Sequence, residues 1–149
     1  MSEDYPFGFE KPKDSPGFLL WQATTLWQRQ IKKVLEPYNL SHAQFVIMAV
    51  TLWFNLSKNK PNQNTICEMS KLDKMTVSKS LKKLVKANII RRYEDEKDTR
   101  AKILELTQKG KDLTIKIVPL IEAADSKFFG KLSNKKSDIL KKLLNDLNY

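Results

Sequence analysis

The sequence predicts a mainly α fold carrying one small β-hairpin. Three observations predict it. Glycine is scarce, with 4 residues in 149, and the 6 prolines fall mostly near the ends of periodic segments, so few turns interrupt the chain. Apolar residues recur at three- and four-residue spacing along most of its length. Between residues 89 and 106 that period gives way to two short runs flanking a charged tip, the pattern of a hairpin.

Residues 1–14 carry Tyr5, Pro6, Phe7, Gly8, Phe9 and Pro12 without a period. They read as an irregular arm able to dock through its aromatics. Ser15-Pro16 starts the first helix, Ser as cap and Pro at the first helical position. Its stripe is Leu20, Trp27, Ile31 and Val34, widened by Leu19, Leu26 and Leu35, and Pro37 ends it. Ser41-His42-Ala43-Gln44 forms a capping box. Phe45, Met48, Ala49 and Leu52 follow on one face, with Val46, Val50 and Trp53 on the flank. A helix apolar nearly all round belongs at the centre. Residues 55–61 read as a polar connection. A short helix follows over about 63–70, with Ile66, Cys67 and Met69 apolar and Leu72 in the turn after it. Asp73 caps a further helix over 74–87 whose inward stripe is Val77, Leu81, Leu84 and Val85, and Asn88 can take the left-handed conformation that ends it. Strands are expected at 89–93 and 102–106, joined by the tip 94–100. Thr107 caps a long helix running toward Phe129, which Pro119 should kink or break. Ser133 caps a last helix with Ile139, Leu140, Leu143, Leu144 and Leu147 on one face.

Two helices joined by a tight turn and followed by a hairpin describe a winged helix-turn-helix. The whole chain reads as one domain, 1–149. About 40–106 would form the winged part, and about 15–36 and 107–149 would supply helices for dimerisation, because one small winged unit cannot cover the apolar stripes at both ends.

Lys plus Arg number 27 against 17 Asp plus Glu, a formal charge of +10. That balance excludes an acidic solvating chain and makes a polyanion, nucleic acid first, the leading partner. One Cys and one His exclude an internal disulfide framework and a His/Cys metal cluster. The acidic start lacks the apolar stretch of a signal peptide. The longest apolar run, 45–54, is far short of the ~20 residues of a membrane span. A cytoplasmic chain with no membrane association and no cofactor is the expectation.

With Val77, Leu81, Leu84 and Val85 inward, the fourth helix turns Lys74, Met75, Thr76, Ser78, Lys79 and Lys82 outward. Lys donates to guanine acceptors, and Thr or Ser bonds base edges or phosphates. The helix N-terminus also favours a phosphate. Arg91, Arg92, Lys97 and Arg100 flank or occupy the wing. An Arg at the tip suits the negative potential of a narrow minor groove, with Asp98 placed to fix its direction. The competing explanations are an amphipathic helix with a solvated lysine face and a surface ion pair of little worth.

Asp98-x-Arg100-x3-Leu104-x-Leu106-Thr107-x2-Gly110 resembles the wing signature of the MarR family of bacterial transcription regulators. Ile66-Cys67-Glu68, Thr76-Val77-Ser78-Lys79 and Leu40-Ser41-x2-Gln44-Phe45 resemble its flanking segments in order, so the match covers about 40–110. The resemblance implies a winged-helix homodimer on a pseudo-palindromic double-stranded operator, recognition helices in major grooves and wings in minor grooves. It implies a repressor, and in many members release by a small lipophilic or phenolic effector bound between the dimerisation and DNA-binding parts. Two residues depart from the pattern. Lys79 replaces the commoner Arg, which puts bidentate guanine recognition in doubt. Asn88 replaces the usual Gly, which Asn can satisfy.

Trp21, His42, Phe45 and Trp53 are the candidates for an effector pocket. Aromatic stripes at helical spacing are more often core, and a His on a first turn is more often exposed. Cys67 reads as a small hydrophobe rather than a redox sensor, having no second Cys in the chain to resolve an oxidised form. The rival function is a protein-interaction scaffold on a winged fold with no specific DNA binding. An enzyme ranks third, for there is no Gly-rich phosphate loop, metal set or His–Ser motif.

Overall fold

The computed structural model describes residues 4–149. Met1, Ser2 and Glu3 of the expected arm lie outside the described residues. A 3-10 turn, Pro12–Asp14, leads into α1 (Pro16–Leu35), and a second, Glu36–Tyr38, joins it to α2 (His42–Leu56). Then come α3 (Gln63–Ser70), α4 (Lys74–Lys86), β1 (Ile90–Glu94), β2 (Lys102–Leu106), α5 (Gln108–Phe129) and α6 (Asn134–Asn148). No helix among the described residues is long and apolar enough to cross a membrane.

Local chemistry sets most of these boundaries. Ser15, Ser41, Asp73, Thr107 and Ser133 each accept a hydrogen bond from the backbone N–H three residues on. At Ser41 the Gln44 amide oxygen reciprocates, completing the capping box. Asn39, Lys71 and Asn88 take positive φ (55°, 61° and 58°) and turn the chain after their helices.

Two apolar clusters share α2. Phe45 joins Ile31 and Leu35 of α1 and Ile117 and Ile121 of α5. Ile47, Met48 and Leu52, on the other side of α2, meet Ile66, Val77, Leu81, Leu84 and the roots of both strands. The helix is central, as its composition predicts, although wholly buried Ile47 and Thr51 lie outside the predicted stripe.

Several expectations change. In α4 the buried positions are Val77, Ser80, Leu81 and Leu84, while Val85 is 39% exposed and Ser80 only 8%. Positions 77, 80, 81 and 84 form one face at helical spacing, and the small Ser80 lets the helix sit close to its neighbours. In α1 only Ile31 and Leu35 are buried, and Leu19, Leu20 and Leu26 remain exposed. In α6 no residue is buried. Strand β1 runs one residue later than expected, 90–94. The arm's aromatics pack on one another, Tyr5 on Phe7 and Phe7 on Phe9, with ring centroids 5.5 and 5.8 Å apart.

Pro119 lies inside an unbroken α5. Ile115, whose carbonyl loses its helical donor to the proline, is exposed, so water can satisfy it. Burial of Ile117 and Ile121, roughly 1.5–3 kcal/mol each, offsets the ~3 kcal/mol cost of an interior proline. The segment read as a polar connection also does more than connect. Buried Pro61 accepts a hydrogen bond from the Leu104 N–H (2.8 Å), and Asn62 bridges Ile103, adding a short third edge to the wing.

Candidate nucleic-acid interface

The hairpin pairs Ile90 with Leu106, Arg91 with Glu105, Arg92 with Leu104, Tyr93 with Ile103 and Glu94 with Lys102. Its base is locked to the start of α5. The Thr107 N–H donates to the Ile89 carbonyl (3.0 Å), its hydroxyl donates to the Asn88 carbonyl (2.6 Å), and the same oxygen accepts from the Gly110 N–H (3.0 Å). A Cβ on Gly110 would overlap the Ile89 carbonyl. The Thr107-x2-Gly110 spacing is therefore a packing requirement: Thr caps the helix while Gly lets the two backbones touch.

The tip is ordered by two local turns. Asp95 accepts from the Lys97 N–H (3.1 Å), and Asp98 accepts from the Arg100 N–H (3.1 Å) and more loosely from its Nε (3.4 Å). Asp98 so directs Arg100, as the sequence suggests, yet the Arg100 side chain stays 93% exposed. Lys97 is exposed beside it. Arg91 is differently placed. Its guanidinium bonds Glu105 at 2.8 Å and lies over the Tyr93 ring. This pairing raises Arg91 above its ordinary pKa and holds the Glu105 carboxyl below its own. Any other partner of Arg91 must compete with Glu105, whereas exposed Arg92 has no ion pair among the described residues.

On α4, Lys74, Met75, Lys79 and Lys82 are exposed, and Thr76 and Ser78 are half-buried beside them. The predicted outward face thus forms one continuous edge. Its N-terminal end carries a device that the residue types alone do not reveal. The Asp73 carboxylate accepts from both the N–H and the hydroxyl of Thr76, each at 2.8 Å. These bonds hold Asp73 below the ordinary carboxylate range. They commit the Thr76 proton, leaving its oxygen as an acceptor. They also place a negative charge where a phosphate at this helix end would sit, against the sequence expectation of a phosphate seat there.

The four aromatic and imidazole candidates do not converge. Phe45 is core, Trp21 is 69% exposed on α1, and Trp53 is 56% exposed and packs edge-on against Phe54. His42 is half-buried rather than exposed, its ring 5.1 Å from that of Trp27, whose Nε1 donates to Asp125 at 2.7 Å. Burial lowers the His42 pKa against the smaller raising effect of Asp125. Cys67 is half-buried against the main cluster. No group of His, Cys, Asp and Glu among the described residues is placed to hold a metal.

The comparisons with known proteins agree with this architecture. A family profile described as ArnR1-like, winged-helix domain matches residues 36–123. The HTH-type transcriptional regulator YdcH of Bacillus subtilis (strain 168) is 33% identical over 129 residues, 87% of this chain and 88% of that protein. Among solved structures, BpsR of Bordetella bronchiseptica superposes with a TM-score of 0.84 at 21% identity, over 94% of this chain and 97% of that one. The MepR–DNA complex of S. aureus gives 0.79 at 21% identity, over 89% and 96%. The two structural likenesses establish the fold, and the profile and YdcH establish the kinship. With its Asp73-capped α4, its Arg-tipped hairpin and the Thr-x2-Gly lock beneath it, the chain belongs to the MarR family of winged helix-turn-helix, DNA-binding transcription regulators.

Proposed function

We propose that the protein is a homodimeric repressor that binds a pseudo-palindromic operator and releases it on binding a small effector. The observation that carries DNA binding is the pair of exposed cationic elements on one winged unit. They are the α4 edge of Lys74, Lys79 and Lys82, and the Arg100 tip projecting beyond the sheet. On this reading α4 enters a major groove, and Arg100 lies in the adjacent minor groove, where it senses width. Dimerisation is supported by uncovered apolar residues at both ends of the chain: Phe18, Leu19, Leu20 and Leu26 of α1, and Ile139, Leu143 and Leu147 of α6. An effector step is supported by the regulation of DNA binding of the similar BpsR by 6-hydroxynicotinic acid, and a DNA step by the similar MepR–DNA complex.

The test selects bound duplexes from a random pool, then measures Arg100→Ala, Lys79→Ala and Lys135→Ala against single-base variants of the recovered site at fixed salt. The site should have two-fold symmetry with half-site centres about one turn, roughly 10 bp, apart. Lys79→Ala should relax preference at one position per half-site by roughly 1–3 kcal/mol. Arg100→Ala should weaken binding and reduce preference for A·T pairs at the outer edges. Lys135→Ala on α6 should match the parent. Recovery of no preferred site, with all three variants alike, overturns the proposal in favour of an interaction scaffold.

A further inference from the structure

Met75 is the most exposed large apolar side chain on α4, at 66%. It heads a stripe at helical spacing that continues through Lys79, Lys82 and Lys86, all exposed. The stripe lies opposite the buried Val77, Leu81 and Leu84. A single apolar residue on a surface is ordinary. What sets Met75 apart is its place. It is the one apolar member of the cationic stripe assigned to the major groove. It stands on the first turn, the part of such a helix that reaches base edges. An ammonium or hydroxyl there would add a phosphate or guanine contact, and a thioether adds neither.

The next residue complements it. The Thr76 N–H and hydroxyl both donate to the Asp73 carboxylate. The backbone bond is the ordinary work of a helix cap, and a neutral residue does the same work at α3. There the Asn62 Oδ1 accepts from the N–H and the hydroxyl of Thr65, at 2.9 and 3.1 Å. What differs at α4 is the count of protons. Ionised Asp73 is an acceptor only, held in that form by the same bonds, and it takes the one hydroxyl proton of Thr76. The Thr76 Oγ1 therefore offers lone pairs to anything beyond. Met75 and Thr76 stand side by side as an apolar tip and an acceptor. Base pairs sort by those two features. In the major groove an A·T pair shows the thymine methyl and the adenine N6 amino donor, whereas a G·C pair shows an amino donor, two guanine acceptors and no methyl. Against guanine, Oγ1 and the carboxylate would meet O6 and N7, lone pair against lone pair.

We propose that Met75 and Thr76 select A·T pairs within each half-site, Met75 packing on a thymine methyl and the Thr76 Oγ1 accepting from an adenine N6 amino group. Asp73 is the positioning residue that fixes the polarity of Thr76. The inference rests on the reading of α4 as the major-groove helix, and it adds which bases the first turn of that helix selects. Guanine recognition is left to Lys79, one turn further on, whose ammonium is a donor only.

The test uses the full chain and the operator recovered by selection, with base analogues placed at each A·T pair in turn and affinity measured at fixed salt. Uracil in place of thymine removes one methyl group, and purine in place of adenine removes the N6 amino group. We expect one thymine per half-site at which uracil weakens the parent about threefold to fivefold, the order of one buried methyl group, and leaves Met75→Ser unaffected. We expect one adenine per half-site at which purine weakens the parent about fivefold or more and leaves Thr76→Val unaffected. Asp73→Asn keeps a cap, as Asn62 does at α3, but brings an amide donor to the same place. It should relax the adenine preference toward guanine at that pair, with thermal unfolding like that of the parent; a residue that only caps the helix would leave base preference alone. Analogues without effect anywhere in the site, or with equal effects in parent and variants, overturn the inference while the operator itself stands. Unchanged discrimination against guanine in Asp73→Asn overturns the role of Asp73. Recovery of no preferred site overturns the major-groove reading and this inference with it.

Discussion

Gly110→Ala tests the junction that aims the wing. The added methyl would overlap the Ile89 carbonyl oxygen and press on its carbon (2.8 Å) and on the Ile89 Cγ2 (3.1 Å). Two of these are backbone atoms and cannot swing aside, so either α5 or the α4–β1 connection must move. Overpacking of this kind costs about 1–3 kcal/mol. Movement also stretches the Thr107 bonds to Asn88 and Ile89, of which losing one costs about 1 kcal/mol. Against this, alanine gains up to about 1 kcal/mol over glycine within a helix. The net expectation is about 1–3 kcal/mol of destabilisation. For a chain of 149 residues that is a fall in Tm of roughly 2–12 °C, at about 2–4 °C per kcal/mol. The assay is thermal and urea unfolding at fixed protein concentration, because coupling to assembly makes Tm concentration-dependent. Gly17→Ala is the control. Its nearest neighbour beyond the adjoining residues is the Ser15 Oγ at 3.9 Å, so it should be neutral or slightly stabilising. A Gly110→Ala protein as stable as the parent would refute the claim that Gly110 is required by close backbone approach.

Further outcomes follow from the same contacts. A lowered folded pKa for His42 means that the unfolded chain takes up a proton first; its contribution is complete above the ordinary 6.5 and is lost as pH falls below it. The urea midpoint should therefore drop between pH 7.5 and 5.5 by more in the parent than in His42→Gln, and equal drops would count against the burial argument. Asp125→Ala should leave the half-buried Trp27 Nε1 without its acceptor and cost about 1–3 kcal/mol, most of which Asp125→Asn should restore in urea unfolding. Leu143→Glu with Leu147→Glu, on the uncovered α6 face, should convert the proposed dimer to monomer in sedimentation, and a dimer that persists in the variant would place the interface elsewhere.

The sequence by itself determined where the helices begin. A cap is an interaction between a residue and the N–H three positions on, so Ser15, Ser41, Asp73, Thr107 and Ser133 are legible without neighbours. The wing was legible for a similar reason: alternation, a charged tip and Thr107-x2-Gly110 are all local patterns, and they carried the family with them. The cationic edge of α4 was legible as residue types. Tertiary packing alone decided the rest. Periodicity allows Ser80 or Val85 to close the α4 stripe, and only the approach of the neighbouring helices selects the smaller Ser80. It likewise keeps α5 whole through Pro119, because Ile117 and Ile121 anchor the helix around it while Ile115 stays wet. The aromatic candidates separated because side chains on different helices meet only if those helices present the same faces to one another. A groove lined by Lys32, Lys83, Lys86 and Lys109 joins α1, α4 and α5, segments far apart along the chain. No run of neighbouring residues carries its signal, and the physical cause is that electrostatic fields add in space rather than along the sequence.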